Sequence, residues 1–212
     1  MKTVSIILFV ALIGIYGCGE SRNRPPLRSR HAIVEMRKGA NTNEYVSAAR
    51  EYLSGNRDDM IAADIMTIYA QLRMTNEFRS FGIEYATNSP SLLLEFADIA
   101  NNASWGSMRD EFALETAKKP NASYSELFRS ARFVLQGGIK DVSEDLLKRL
   151  AQKATKRYQM EDLQLMTCEI AIRRSEASQV VAEMLARLAN EAMMPQVRRD
   201  AKKMLSEIKI VE

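Results

Sequence analysis

From Asn43 onward, apolar residues recur at three- and four-residue spacing in one short segment after another, and each segment is closed by Gly, Pro or a Ser/Thr/Asn cluster. Strict alternation of apolar and polar residues, the mark of a half-buried strand, is almost missing. Tyr45 to Leu53 is stopped by Gly55, and Asp58 to Arg73 follows. Met60, Ile61, Ile65, Met66, Ile68, Tyr69 and Leu72 nearly encircle that second helix, which predicts burial on two sides. Thr75 opens a third helix that runs to about Thr87. Ser89-Pro90, an N-cap residue followed by Pro at the first helical position, opens a fourth. Met108 to Lys118 is the fifth, and Ser123 to Gly137-Gly138 the sixth. Asp141 and Glu144 have the spacing of a capping box before a seventh helix with the stripe Leu146, Leu147, Leu150, Ala151 and Ala154. Met160 to Arg173 is again apolar on most sides. Ala177 to Asn190 and Pro195 to Ile208 complete the series.

One amphipathic hairpin of this size cannot bury its own apolar face, and stacking neighbours does it. The expected fold is therefore all-α: a right-handed α-α solenoid of stacked antiparallel hairpins, about ten helices long, over residues 43–212. An apolar content of 46% is sufficient for such a core.

The stretch from Met1 to Gly17 has a different character. Lys2 precedes an apolar run, Val4 to Ile15, which is shorter than the roughly 20 residues of a membrane-spanning helix. The run closes on Ile15-Tyr16-Gly17-Cys18: aliphatic, variable, small, cysteine. This stretch resembles the lipobox of bacterial lipoprotein signals. The resemblance implies a diacylglycerol on the Cys18 sulfur, cleavage before Cys18 by signal peptidase II, and an acylated new N-terminus. It places the protein on the bacterial cell membrane or outer membrane, lipid-anchored and facing the periplasm or exterior. Residues 1–17 are then a signal peptide and residues 18–42 a tether. Arg22, Arg24, Arg28, Arg30 and His31, with Pro25-Pro26, make that tether basic and polar. Ala32 to Lys38 has the composition of one short helix before Gly39.

Two repeat families share the resemblance of the array. Val180 to Ile208 resembles a HEAT repeat: Met184-Leu185 and Leu188 in one helix, then Pro195-Gln196-Val197-Arg198, Ala201, Leu205 and Ile208 in the next. Pro90 and Pro120 close two successive units, each preceded by an aromatic-and-Ala helix: Phe81, Tyr85 and Ala86, then Phe112, Ala113 and Ala117. That arrangement resembles tetratricopeptide repeats. Both families imply protein-protein interaction surfaces, and the residues do not choose between them.

Catalytic equipment is sparse. The one histidine, His31, falls in the tether, leaving no imidazole for a triad, a general base or a zinc site in the array. With Cys18 acylated, Cys168 stands alone inside an apolar helical pattern and reads as a small buried hydrophobe. Glycine-rich phosphate loops are absent from the pattern. Asp58-Asp59, Asp110-Glu111, Glu144-Asp145 and Glu161-Asp162 read as helix N-terminal acids favoured by the macrodipole. No enzyme activity, metal or cofactor is expected. Thirty basic and 27 acidic residues give +3, too near neutral for a nucleic-acid protein.

The expected partners are thus a membrane, through the lipid on Cys18, and another envelope protein. Two sets of residues are candidates for the partner surface. Phe78, Phe81, Tyr85 and Trp105 would line a concave groove, and Arg198, Arg199, Lys202 and Lys203 would form a basic strip facing an acidic partner. The functional expectation is a helical-repeat adaptor held at the membrane. The alternative is a structural or secretion-system lipoprotein that self-assembles.

Overall fold

Eleven helices and no strand make up the regular structure of residues 29–138 and 142–208, the residues that the computed structural model describes. The chain divides into two compact units between Arg57 and Asp58.

The first unit holds α1 (Arg30–Gly39) and α2 (Thr42–Leu53), which pack against each other. The end of the expected tether is therefore helical, and the helix reaches beyond Ala32 to Lys38 at both ends. Ser29 caps α1 by accepting from the Ala32 N–H, and Arg37 and Lys38 sit in its last turn, where the macrodipole favours cations. Asn41 caps α2. Ile33 of α1 and the stripe Tyr45, Ala48, Ala49 and Leu53 of α2 are buried. The Arg37 guanidinium lies 5.6 Å from the centre of the Tyr45 ring.

The second unit contains α3 (Asp59–Gln71), α4 (Thr75–Ala86), α5 (Pro90–Asn102), α6 (Gly106–Lys118), α7 (Tyr124–Gly137), α8 (Glu144–Lys153), α9 (Arg157–Arg173), α10 (Gln179–Glu191) and α11 (Pro195–Glu207). The expected punctuation places most of them, but α9 begins at Arg157 rather than Met160, and α4 begins at Thr75 itself, after Met74, with no side-chain cap. Pro90 and Pro195 are at the first turn of α5 and α11. Asp58 caps α3 through the Ile61 N–H. The capping box belongs to α7: Ser123 Oγ accepts from the Glu126 N–H, and Glu126 Oε2 accepts from the Ser123 N–H at 2.7 Å. The box expected from Asp141 begins outside the described residues. The cap found at α8 is Ser143, whose hydroxyl accepts from the Leu146 N–H.

Helices pack on their neighbours and on the helix after next: α3 with α4 and α5, α5 with α6 and α7, α9 with α10 and α11. This is the contact pattern of stacked hairpins. The first helix of each hairpin begins at Asp59, Pro90, Tyr124, Arg157 and Pro195, an even spacing whose last step is the longest. Three of these helices end identically. Arg73, Ser104 and Ser175 have φ of 58°, 63° and 57°. In each case the next N–H bonds back five residues: Met74 to Tyr69, Trp105 to Ala100, Glu176 to Ala171. These are Schellman turns with a non-glycine residue in the left-handed position.

The core runs through the stack as linked clusters. Ala113, Leu127, Val134, Leu146, Leu150, Met166 and Ile170 form one buried cluster, and Leu165, Cys168, Leu185, Leu188, Val197 and Ala201 another. Helix α9 contributes to both from opposite faces, as its all-round apolarity predicts. Gly82 on α4 fits a close crossing: a Cβ there would stand 2.7 Å from both Met66 Cε and Phe112 Cζ.

Candidate functional site

Helix α9 has more apolar and charged residues than one face can serve, so its polar side chains sit in the seams between helices. Glu169 is the clearest case. Its side chain is only 13% exposed and accepts from Arg132 of α7 at 2.6 Å and from Arg173 one turn later at 2.5 Å. Arg173 also donates to the Leu135 carbonyl in the last turn of α7, at 3.0 Å. One carboxylate thus fixes two guanidiniums across the seam between successive hairpins.

Beside this triad a groove of about 440 Å³ opens across α7, α9 and α11. Leu165, Ile172 and Met204 supply its apolar part. Arg132, Glu169 and Arg173 line it from α7 and α9, and Asp200, Lys203 and Glu207 from α11. Apolar surface alternating with charges of both signs suits a polypeptide segment better than a small molecule of one charge. The groove's lining includes no imidazole or thiol; its polar groups are guanidinium, ammonium and carboxylate.

Asp162, further up α9, is half-buried. Burial pushes its carboxyl above the usual aspartate range, and Glu161 adds to this, while Arg132 pulls the other way. Burial and the same Asp162 also raise the neighbouring Tyr124 phenol. The Cys168 thiol, buried against the α10 and α11 core, is pushed up to about 11. A thiol raised in this way stays protonated near neutral pH and is a poor nucleophile.

The basic strip divides in two. Arg198 turns inward and donates to the Ala192 carbonyl at 2.9 Å, bracing the turn before its own helix. Arg199, Lys202 and Lys203 are exposed, and Lys203 is the one that reaches the groove. The aromatic set is drawn into packing. Phe78 is fully buried, edge-on to Trp105 at 5.2 Å and to Phe112 at 5.7 Å. Phe81 is buried and stacked on Tyr85 at 5.5 Å. The Tyr85 hydroxyl accepts from the Asp58 N–H at 2.8 Å, so its polar tip is also used inside the fold. Side chains so placed cannot line an open groove, and Phe78 and Phe81 leave the candidate surface. Tyr85 and Trp105 are only partly exposed. Cys18 lies outside the described residues.

The carboxylate pairs need one correction. Asp58-Asp59 and Glu144-Asp145 do sit at helix N-termini. Asp110-Glu111 and Glu161-Asp162 lie past the first turn. Asp110 pairs with the buried Arg109, and Glu111 with Arg79 of α4. Glu161 accepts from Arg157 and from the Met193 N–H. Of these, Glu111 and Glu161 link their helices to other parts of the fold. The groove residues Arg132, Glu169 and Arg173 were not singled out from sequence. Of their links, only the i, i+4 spacing of Glu169 and Arg173 is visible there.

No protein-family model matches this chain, and no curated protein and no solved structure matches it.

Proposed function

We propose that this protein is a lipid-anchored adaptor of a bacterial envelope. Acylated Cys18 holds it to the membrane, and the helical repeats hold a partner protein through the groove across α7, α9 and α11. The groove carries the reading: it is sizeable and mixes apolar surface with pre-set charges of both signs. Repeat stacks bind along such extended surfaces. The anchor rests on the apolar run that ends in Ile15-Tyr16-Gly17-Cys18. Three acyl chains would hold firmly where one binds only marginally.

The spacing of first helices favours the tetratricopeptide-like reading over the HEAT-like one. The steps from Asp59 to Pro90, Pro90 to Tyr124 and Tyr124 to Arg157 lie close to the tetratricopeptide period of about 34 residues and fall short of the HEAT period of about 40–47. The last step, Arg157 to Pro195, is longer and leads into the Val180 to Ile208 segment that resembles HEAT.

Crosslinking in the native host followed by mass spectrometry, with Cys18→Ser as control, tests the proposal. One dominant envelope partner, lost in the control, is the expected result. Crosslinks confined to copies of this chain would replace the adaptor with the self-assembling alternative. A Cys18→Ser chain that stays membrane-bound at mature size would remove the anchor.

A further inference from the structure

Charge is divided unevenly along this chain. Over residues 18–57 eight basic residues stand against four acidic ones, and over 58–212 there are 21 against 23. Whatever pairs form within 18–57, four basic charges are left over. Six of the eight, Arg22, Arg24, Arg28, Arg30, Arg37 and Lys38, fall between Cys18 and the end of α1, where the acids are Glu20 and Glu35. Helix α2 adds no excess, with Arg50 against Glu44 and Glu51. An asymmetry of this kind is the mark of a segment that meets nucleic acid or a membrane.

Helix α1 sets out how the charges are presented. Arg30 and Arg37 are seven residues apart, as are His31 and Lys38, so the four share one side of the helix, and all four are exposed. The apolar residues of α1 are already covered: Ile33 is fully buried, and Ala32, Val34 and Met36 are partly so.

We propose that the side of α1 that carries Arg30, His31, Arg37 and Lys38 lies on the anionic headgroups of the bilayer that holds Cys18. The proposal rests on the lipid-anchor reading and adds a second membrane contact to it.

Reach decides for the membrane against other polyanions. Arg22 and Arg24 are four and six residues from Cys18, at most roughly 14 and 22 Å along an extended chain, and Arg30, at twelve residues, is at most about 43 Å away. An anchor at Cys18 makes the meeting of these cations with headgroups intramolecular, an advantage that a free nucleic acid or acidic protein has to match by concentration. Charge sets the mode of contact. None of the large apolar side chains of α1 is exposed, so the helix has nothing to insert, and the contact is electrostatic and screened by salt. Each Lys or Arg held near an anionic surface strengthens such a contact about fivefold.

The test takes the chain as its host processes it, with a fluorophore at His31→Cys, into vesicles whose headgroups carry a nitroxide quencher. One set is phosphatidylcholine alone, and the other is about one third phosphatidylglycerol. Cys168 is buried, and an acylated Cys18 takes no label. The expected result is quenching on the phosphatidylglycerol vesicles at low salt, lost in about 0.5 M salt and absent on phosphatidylcholine. Arg24→Gln with Arg28→Gln, both ahead of α1, should lower the ratio of surface-bound to free label about thirtyfold, and the exposed Lys38→Gln about fivefold. Lys202→Gln with Lys203→Gln, on the last helix, should leave it unchanged. Equal quenching on both vesicles, quenching that survives salt, or an equal loss from the last-helix pair would overturn the proposal. Protein that stays with both vesicles and is quenched on neither would sink this contact and leave the anchor standing. Protein that leaves phosphatidylcholine vesicles, yet is held and quenched on phosphatidylglycerol ones until salt is added, would sink the anchor and support the contact.

Discussion

Replacing Glu161 by Ala should loosen the seam between α9 and the α10–α11 turn more than any surface change nearby. Glu161 is only 6% exposed, and its two oxygens are both used, one by Arg157 Nε at 2.8 Å and the other by the Met193 N–H at 2.8 Å. The Arg157 side chain is 64% exposed, so the ion pair itself contributes only about 0–1 kcal/mol. The amide is the larger contribution. A hydrogen bond to a charged acceptor is worth about 1.5–3 kcal/mol. Glu161→Ala should therefore cost about 2–3 kcal/mol in all. For a chain of this size that lowers the unfolding midpoint by about 4–12 °C. Glu161→Gln keeps an acceptor for the Met193 N–H and loses only the charge, so it should cost no more than about 1 kcal/mol. Thermal unfolding followed by circular dichroism measures both. Equal losses from the two variants would mean that the ion pair, not the amide, matters. A loss under about 0.5 kcal/mol from Ala, the range of ordinary surface changes, would refute the argument entirely.

The remaining predictions use the same assay except where stated. Ser104→Gly and Ser175→Gly remove the cost of left-handed backbone, about 1–2 kcal/mol, against a glycine entropy cost of about 0.5–1, so each should stabilise slightly; Ala103→Gly, at φ −80°, should only destabilise. Gly82→Ala should destabilise by about 1–3 kcal/mol, because the new methyl collides with Met66 and Phe112. Asp162 has its folded-state pKa raised, so the native state is favoured by protonation and loses that advantage as pH rises through the raised value. Asp162→Asn should therefore be more stable than wild type at pH ~7, with the gain vanishing as pH falls toward the ordinary aspartate value of about 4. Arg149 reaches the carbonyls of Ala117 and Lys119 together, so Arg149→Lys should speed hydrogen exchange in α8 while leaving α5 unchanged.

Helix positions were legible because their signals are local. Ser89-Pro90, Gly137-Gly138 and Pro195 act within a turn of themselves, and the structure puts helix ends there. The repeat period was harder to see. Its best marker is the left-handed residue that ends the first helix of a hairpin, and Arg73, Ser104 and Ser175 stand where a glycine would have announced it. The aromatic residues misled for a different reason. A Phe at helical spacing looks the same on a concave groove and in an inter-helix seam, and only the packing of α4 against its neighbours puts Phe78 and Phe81 inside. The groove was illegible for the most part. Arg132 and Glu169 are far apart in the chain, and their meeting depends on how α7 and α9 are turned about their axes.

The charge count reads differently once the arginines are followed to their partners. Arg73 donates to the Ala103 carbonyl at the end of α5, Arg149 to those ending α6, Arg173 to Leu135 in α7, and Arg157 and Arg198 to Glu191 and Ala192 ending α10. Helix ends leave four carbonyls without intrahelical donors, and the macrodipole makes that end negative. A guanidinium can satisfy two such oxygens at once, which an ammonium cannot do in a fixed geometry. These arginines therefore act as clasps between helices. Cations free to meet a partner must come from side chains that no carbonyl holds. On the last helix these include Lys202 and Lys203, and on α10 Arg187, whose neighbour in the fold is the uncharged Gln164. Lys203 and Arg187 border different recesses, so replacing one leaves the charge lining the other unchanged.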